Sequence, residues 1–328
     1  MRRLLGVLLV LLGACSAAHA ESVLTHGNVP SATLGRPFPF MIYLPGGYSR
    51  GDLSYPVLYL LHGAGGDEMA WSTEGGIKAT ADRMIQSGDM PPSIIVMPGC
   101  RTCWWVDGAR DKAETAFWSE LVPAIQQRYR VIEGRSGRLV AGLSAGGFGA
   151  VRFAMRYPDR IAAVAALSPA VYADVPPDIS SARVQPPFLR SDGSFDPAAW
   201  RTHNYTSLID RYLHQKNRVA FYLVSGDNDR FGIAFETMTL FKRLWAHQPE
   251  ASELRIVDGD HSWTIWAQSI ENAMRYLYQH AARPRPALVA QVQGSPSRRG
   301  AGAPPPVTTP QVAARSPASP VDDDTVGP

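Results

Sequence analysis

Between residues 23 and 283, short, continuously apolar runs alternate with segments of helical periodicity. The runs Phe38–Leu44, Val57–Leu61, Ser93–Met97, Arg138–Leu143, Ala162–Leu167, Val219–Ser225 and Leu254–Val257 predict strands. Several are apolar along their length and rich in β-branched residues, as strands covered on both faces are. Helical spacing marks Ile77–Gln86, Lys112–Tyr129, Gly146–Tyr157, Phe235–His247 and Trp263–His280. In the second of these, Phe117, Leu121, Ile125 and Tyr129 recur every four residues along one face. Pro123 inside that pattern predicts a kink or a restart. Such alternation confines the chain to the α/β class, a mainly parallel sheet with helices on both faces and right-handed crossovers. Residues 170–216 break the rhythm. They are rich in Pro and Asp, hold a short helical pattern near Thr206–Leu213, and read either as a partial lid over the sheet's C-terminal edge or as a long surface excursion, their length favouring the lid.

At one place the strand–helix boundary carries chemistry. Gly142-Leu143-Ser144-Ala145-Gly146-Gly147 follows the run Arg138–Leu143 and opens a helical pattern, which is G-x-S-x-G in the setting of a nucleophile elbow. A turn this sharp tolerates only small residues two before and two after the serine, and Gly142 and Gly146 meet that need. A serine hydroxyl is a poor nucleophile at neutral pH and needs a base oriented by a carboxylate. Of the His residues beyond the run 219–225, His247 and His280 end helical patterns, whereas His261 sits on a strand-to-helix loop. His261 is therefore the expected base. Phe221–Gly226 leads into Asp227-Asn228-Asp229; Asp229 lies further into the loop and is the expected acid, with Asp227 as a turn residue.

His62-Gly63-Ala64-Gly65-Gly66 follows the run Val57–Leu61. A loop without bulky side chains lets main-chain N–H groups approach a carbonyl oxygen, so the amides of Ala64 and Ala145 are the expected oxyanion donors, and His62 a bracing residue. A phosphate cradle is the competing reading, but no G-K-[ST] follows. Trp104, Trp105 and Trp263 are expected near the site, as walls of a substrate pocket or as loop packing.

The two ends differ from the middle. Arg2 and Arg3 precede the nine-residue apolar run Leu4–Leu12, too short to span a bilayer and suited to an export signal. Cleavage after Ala18-His19-Ala20 starts the chain at Glu21; Leu12-Gly13-Ala14-Cys15 alternatively reads as a lipobox that would lipidate Cys15. Residues 284–328 hold ten Pro and no aromatic residue, the composition of a disordered tail. The formal charge of +3 resides in these ends, because residues 21–283 carry 26 positive and 26 negative side chains. A neutral middle excludes nucleic acid as the main partner, and a membrane is reached only through a lipid on Cys15. Cys100 and Cys103 lack the further ligands of a structural zinc site, and an exported chain would hold them as a local disulfide.

Taken in order, His62-Gly63-x-Gly65-Gly66, Met97-Pro98, Trp104-Trp105-x-Asp107, Gly142-x-Ser144-x-Gly146-Gly147, Leu167-Ser168-Pro169, Gly226-x-x-Asp229 and Gly259-x-His261-x-Trp263 resemble the esterase D group of α/β-hydrolases over about residues 22–283. That group includes feruloyl and acetyl-xylan esterases, S-formylglutathione hydrolases, enterochelin-type esterases and mycolyltransferases. The resemblance implies an α/β-hydrolase fold in one catalytic domain, 21–283, working without a cofactor or metal on a small-molecule or glycan-linked ester. It implies Ser144 as nucleophile, Asp229 as acid and His261 as base. Many members carry Met or Leu where Ala145 stands. The reading is an exported serine esterase acting through an acyl-enzyme. Two others remain open: an acyltransferase using the same residues, and a non-catalytic surface protein on a hydrolase fold.

Overall fold

The computed structural model describes residues 21–287 except 102 and 110. The expected export signal with Cys15 and the tail from residue 288 lie outside the described residues. The strands are β1 (Val23–Val29), β2 (Phe38–Leu44), β3 (Leu53–Ser54), β4 (Val57–Leu61), β5 (Ile94–Pro98), β6 (Arg138–Leu143), β7 (Ala163–Leu167), β8 (Ala220–Gly226), β9 (Ser252–Val257) and β10 (Arg285–Pro286). The helices are α1 (Ala70–Thr73), α2 (Ile77–Ser87), α3 (Ala113–Ala116), α4 (Val122–Arg128), α5 (Ala145–Arg156), α6 (Pro197–His203), α7 (Ile209–His214), α8 (Ile233–His247) and α9 (Trp263–Gln279).

Eight strands form one sheet in the order β1-β2-β5-β4-β6-β7-β8-β9. The pairs β1/β2 and β2/β5 are antiparallel, and every pair from β5 to β9 is parallel. Successive side chains of the central strands enter two separate cores. Val57, Tyr59 and Leu61 face one with α5 and the aromatic residues around it; Leu58 and Leu60 face the other with α2 and α9. Each fully buried Leu, Val or Phe contributes about 1.5–3 kcal/mol through removal from water. This two-sided burial is why the strand sequences lack a polar face.

From β4 the chain passes to β5 on one side and returns to β6 on the other. The order thus reverses between β4 and β6, the place where open α/β sheets bind ligands. The glycine loop leaves β4 and the elbow leaves β6, so the topology sets them side by side, with Leu61 in register with Gly142.

Two features depart from the sequence expectation, and one bears it out. β1 forms the sheet edge, and its exposed, partly polar residues gave no continuous apolar run. Pro123 marks the expected restart: a π-helical turn over Phe117–Leu121 separates α3 from α4, and Pro123 sits in the first turn of α4, where its missing N–H costs nothing. The tail's first residues are ordered against the domain: β10 pairs antiparallel with β3.

Residues 170–216 do not form a detached flap. Phe188, Trp200 and Tyr205 are fully buried, and the first two join Trp104 and Phe148 in an aromatic cluster above α5. A buried polar knot fastens the same segment. Glu114 accepts bonds from Arg152 Nε at 2.8 Å and Tyr157 Oη at 2.8 Å, with Arg156 Nε at 3.0 Å, and Arg152 Nη1 donates to the carbonyl of His203 at 2.7 Å. Burial, and then the Arg152 charge, push His203 down to about 4, with Arg156 adding to and Asp107 opposing the shift; its Nδ1 has no partner. His203 is thus neutral when folded and protonates more readily when unfolded, so stability is full above about pH 6.5 and falls toward pH 4. After allowance for its partial exposure, the loss is about 1–2 kcal/mol. Thermal melts at pH 7 and pH 4.5 check this: His203→Asn should show the smaller drop in Tm, and equal drops would refute it.

Candidate active site

At the end of β6, Ser144 adopts φ 52° and ψ −116°, and α5 begins at the next residue. Neighbouring backbone makes this turn possible only with glycine around it. A Cβ on Gly142 would lie 2.4 Å from Gly146, and one on Gly146 would lie 2.5 Å from the carbonyl oxygens of Leu61 and His62. The turn lifts the Ser144 hydroxyl above the sheet at the positive end of α5.

His261 leaves the β9–α9 loop to meet it. The carboxylate of Asp229 can only accept, so His261 Nδ1–H donates to Asp229 Oδ2 at 2.6 Å. Nε2 is then left free to accept from Ser144 Oγ at 2.9 Å. The Asp229 side chain is wholly buried and His261 is 11% exposed, so this chain of bonds has little competition from water. Asp229 Oδ1 also accepts the Phe231 N–H at 2.9 Å, which orients the carboxylate. Asp227 does something else. It is exposed and accepts the Gly259 N–H at 3.0 Å, tying the loop of Asp229 to the loop of His261. Asp260 accepts from the Ser262 hydroxyl and does not contact the imidazole partners.

The glycine loop closes the site from the β4 side. Gly63 lies against the elbow, where a Cβ would meet Leu143 Cδ1 at 2.6 Å, and Gly65 has φ 76°. Among the described residues, neither the Ala64 nor the Ala145 N–H has a backbone acceptor. Ala64 lines the cavity, whereas Ala145 is buried beneath it. His62 is buried and braces the loop. Its Nδ1–H donates to the Gly63 carbonyl at 2.7 Å and its Nε2 accepts the Cys100 N–H at 3.1 Å. Burial lowers its basicity, which keeps the ring neutral and able to accept.

The wall loop after β5 is joined to this brace. Cys100 and Cys103 form a disulfide, and the Trp105 indole N–H donates to the His62 carbonyl at 3.0 Å. Trp105 therefore does not line a pocket, as the sequence had suggested; it is fully buried behind the glycine loop, where a Cβ on Gly149 would touch it at 2.5 Å. Breaking the disulfide with Cys100→Ser/Cys103→Ser frees the loop that holds His62. We expect kcat to fall about tenfold, less than the ~3–4 kcal/mol that outright loss of an amide donor costs because the donor is displaced and not deleted, while KM changes less. Unchanged kcat in that double variant would count against the brace.

Trp104 and Trp263 do line a cavity of about 330 Å³ over Ser144 and His261. Its other walls include Tyr172, Arg230 and Phe231, none of which stood out in the sequence as pocket residues. Trp266, in the first turn of α9, is both buried and a wall. Phe231 was reachable in principle, since it lies two residues beyond the acid. Tyr172 had no signal, because its position depends on how residues 170–216 fold back.

A parallel sheet with a serine elbow, a histidine and a buried carboxylate at its C-terminal edge defines the α/β-hydrolase class of serine hydrolases. A family model described as "Putative esterase" matches residues 31–277. The chain belongs to that esterase family. It is 30% identical over 150 residues to an endo-1,4-beta-xylanase/feruloyl esterase of Xylanibacter ruminicola, covering 42% of this chain and 21% of that one. An acetyl esterase of Caldicellulosiruptor saccharolyticus is 22% identical over 67% of this chain and 82% of its own. The chain spans about a fifth to a quarter of the length of the first curated relatives it matches. Among solved structures, a ferulic acid esterase superimposes with a TM-score of 0.67 at 25% identity, covering 79% of this chain and 98% of its own.

Proposed function

We propose that the protein hydrolyses esters of aromatic carboxylic acids through Ser144, His261 and Asp229, by way of an acyl-enzyme. The observation that carries this is the unbroken series Asp229–His261–Ser144, with spacings of 2.6 and 2.9 Å, opening into a cavity walled by aromatic rings. Ser144 Oγ attacks the ester carbonyl while its proton passes to His261 Nε2. The negative charge on the carbonyl oxygen is received by the N–H groups of Ala64 and Ala145, each worth about 3–4 kcal/mol in the transition state. The imidazolium, steadied by Asp229, returns the proton to the departing alcohol. Water then gives its proton to Nε2, its oxygen attacks the acyl carbon, and the acid leaves with Ser144 restored.

The acyl preference rests on Trp104, Tyr172, Phe231 and Trp263, whose rings suit a flat acyl group by edge and face contact. The relatives named as feruloyl esterases support the same choice. We place the enzyme outside the cytoplasm, soluble or held by lipid on Cys15, on the strength of its N-terminal residues. A panel of p-nitrophenyl acetate, butyrate and octanoate beside methyl ferulate tests the substrate. We expect kcat/KM for the ferulate to exceed that for octanoate by at least tenfold. A monotonic rise with aliphatic chain length would rule the aromatic preference out.

A further inference from the structure

The turn Leu167–Ala170, at the end of β7, touches both reacting side chains' supports. On one side it grips the elbow: the Ser144 N–H donates to the Leu167 carbonyl at 2.9 Å, and the Ala170 N–H donates to the Ser144 carbonyl at 3.2 Å. Pro169 lies so close to Gly147 that a Cβ there would sit 2.9 Å from the Pro169 Cα. On the other side it reaches α9. Ser168 Oγ accepts the Trp266 indole N–H at 3.1 Å, and the Trp266 ring stands edge-on to His261 at 5.0 Å and 89°. Phe231 gives the imidazole a second aromatic contact at 4.9 Å.

Ser168 is fully buried and has φ 41°. A residue with a Cβ in this left-handed region costs about 1–2 kcal/mol that glycine would not. Were the turn alone required, glycine would serve it at no such cost. What serine adds is a hydroxyl, and Trp266 is its hydrogen-bond partner.

We propose that Ser168 and Trp266 are positioning residues for the general base: the strained turn that fixes the Ser144 backbone also fixes, through the indole, the plane of the His261 ring. One rigid segment thereby sets the separation between nucleophile and base. This rests on the reading of His261 as the base of Ser144. With the bond removed, the indole can tilt, and the imidazole samples orientations from which Nε2 no longer meets Oγ. Chemistry slows while substrate affinity is little altered, because Ser168 does not line the cavity.

The test is a double-mutant cycle with Ser168→Gly and Trp266→Phe on the full chain, using p-nitrophenyl acetate. Ser168→Gly relieves the backbone but removes Cβ and hydroxyl together and leaves the Trp266 N–H without its acceptor, so the two effects offset and its Tm should stay close to that of the parent. We expect its kcat to fall about tenfold with KM within twofold, and Trp266→Phe to lower kcat by a similar factor. Because both delete the same bond, the double variant should be no slower than the slower single one. Multiplying losses, or a Ser168→Gly kcat within twofold of the parent, overturns the proposal. Ser144→Ala run alongside separates the two readings. If it stays active, the triad reading fails; if it is inactive while Ser168→Gly is unaffected, only the positioning role fails.

Discussion

Ser144→Ala should lower kcat/KM for ester hydrolysis by about 10⁴-fold or more, leaving only what the amide donors and the cavity supply. The side chain is half-buried and, among the described residues, its hydroxyl bonds to His261 alone, so the substitution removes the hydroxyl without opening a cavity in the core. The fold should therefore persist, with Tm within about 2 °C of the parent. Labelling by a fluorophosphonate probe should vanish in parallel. Residual activity above one part in a hundred, in protein shown by mass to carry alanine, would assign the chemistry to another group.

The second large effect is expected at Asp229. Asp229→Asn replaces an acceptor-only carboxylate by an amide that can also donate. If the amide turns its NH₂ toward Nδ1, the imidazole carries its proton on Nε2 and can no longer accept from Ser144. Even with the carbonyl facing the ring, the imidazolium formed during attack loses its counter-charge. Together these should reduce kcat by about 10³–10⁴-fold with KM changed little. Asp227→Asn is the matching control. It keeps an oxygen to accept the Gly259 N–H, faces solvent and stands away from the imidazole, so its kcat should stay within about threefold. Steady-state kinetics of the pair decide between the two carboxylates; a larger loss at Asp227 would reverse their roles.

How far the sequence speaks depends on how local each cause is. Ser144 was legible because its strained turn forces glycine at fixed offsets, and the crowding of Gly142 and Gly146 against neighbouring backbone is the physical origin of that pattern. Asp229 was legible because it follows the fully buried strand β8, and His261 because it lies on the loop between the run Leu254–Val257 and the helical pattern that starts at Trp263. β1 escaped because at the sheet edge both of its faces meet water, leaving Thr25, His26 and Asn28 exposed and no continuous apolar run. Trp105 was misjudged for the opposite reason: adjacent to Trp104 in the chain, it points the other way because its own φ of 58° reverses the backbone there. Nothing local distinguishes the two indoles. Tyr172 and the buried grip of Phe188 and Trp200 follow from how residues 170–216 fold back onto α5, which is a tertiary matter.

Four residues other than glycine have positive φ: Arg101, Trp105, Ser144 and Ser168, among the described residues. All four lie just past the C-terminal ends of β5, β6 and β7, and none in the opposite rim. At about 1–3 kcal/mol each, they would constitute a sizeable fraction of an ordinary domain's net stability. The molecule is therefore lopsided, relaxed at one rim and wound tight at the other. Selection for heat resistance alone should drift toward glycine or asparagine at these positions, and would loosen the rim on which turnover depends. Durable variants are better sought at the relaxed rim, where backbone and chemistry make no competing demands.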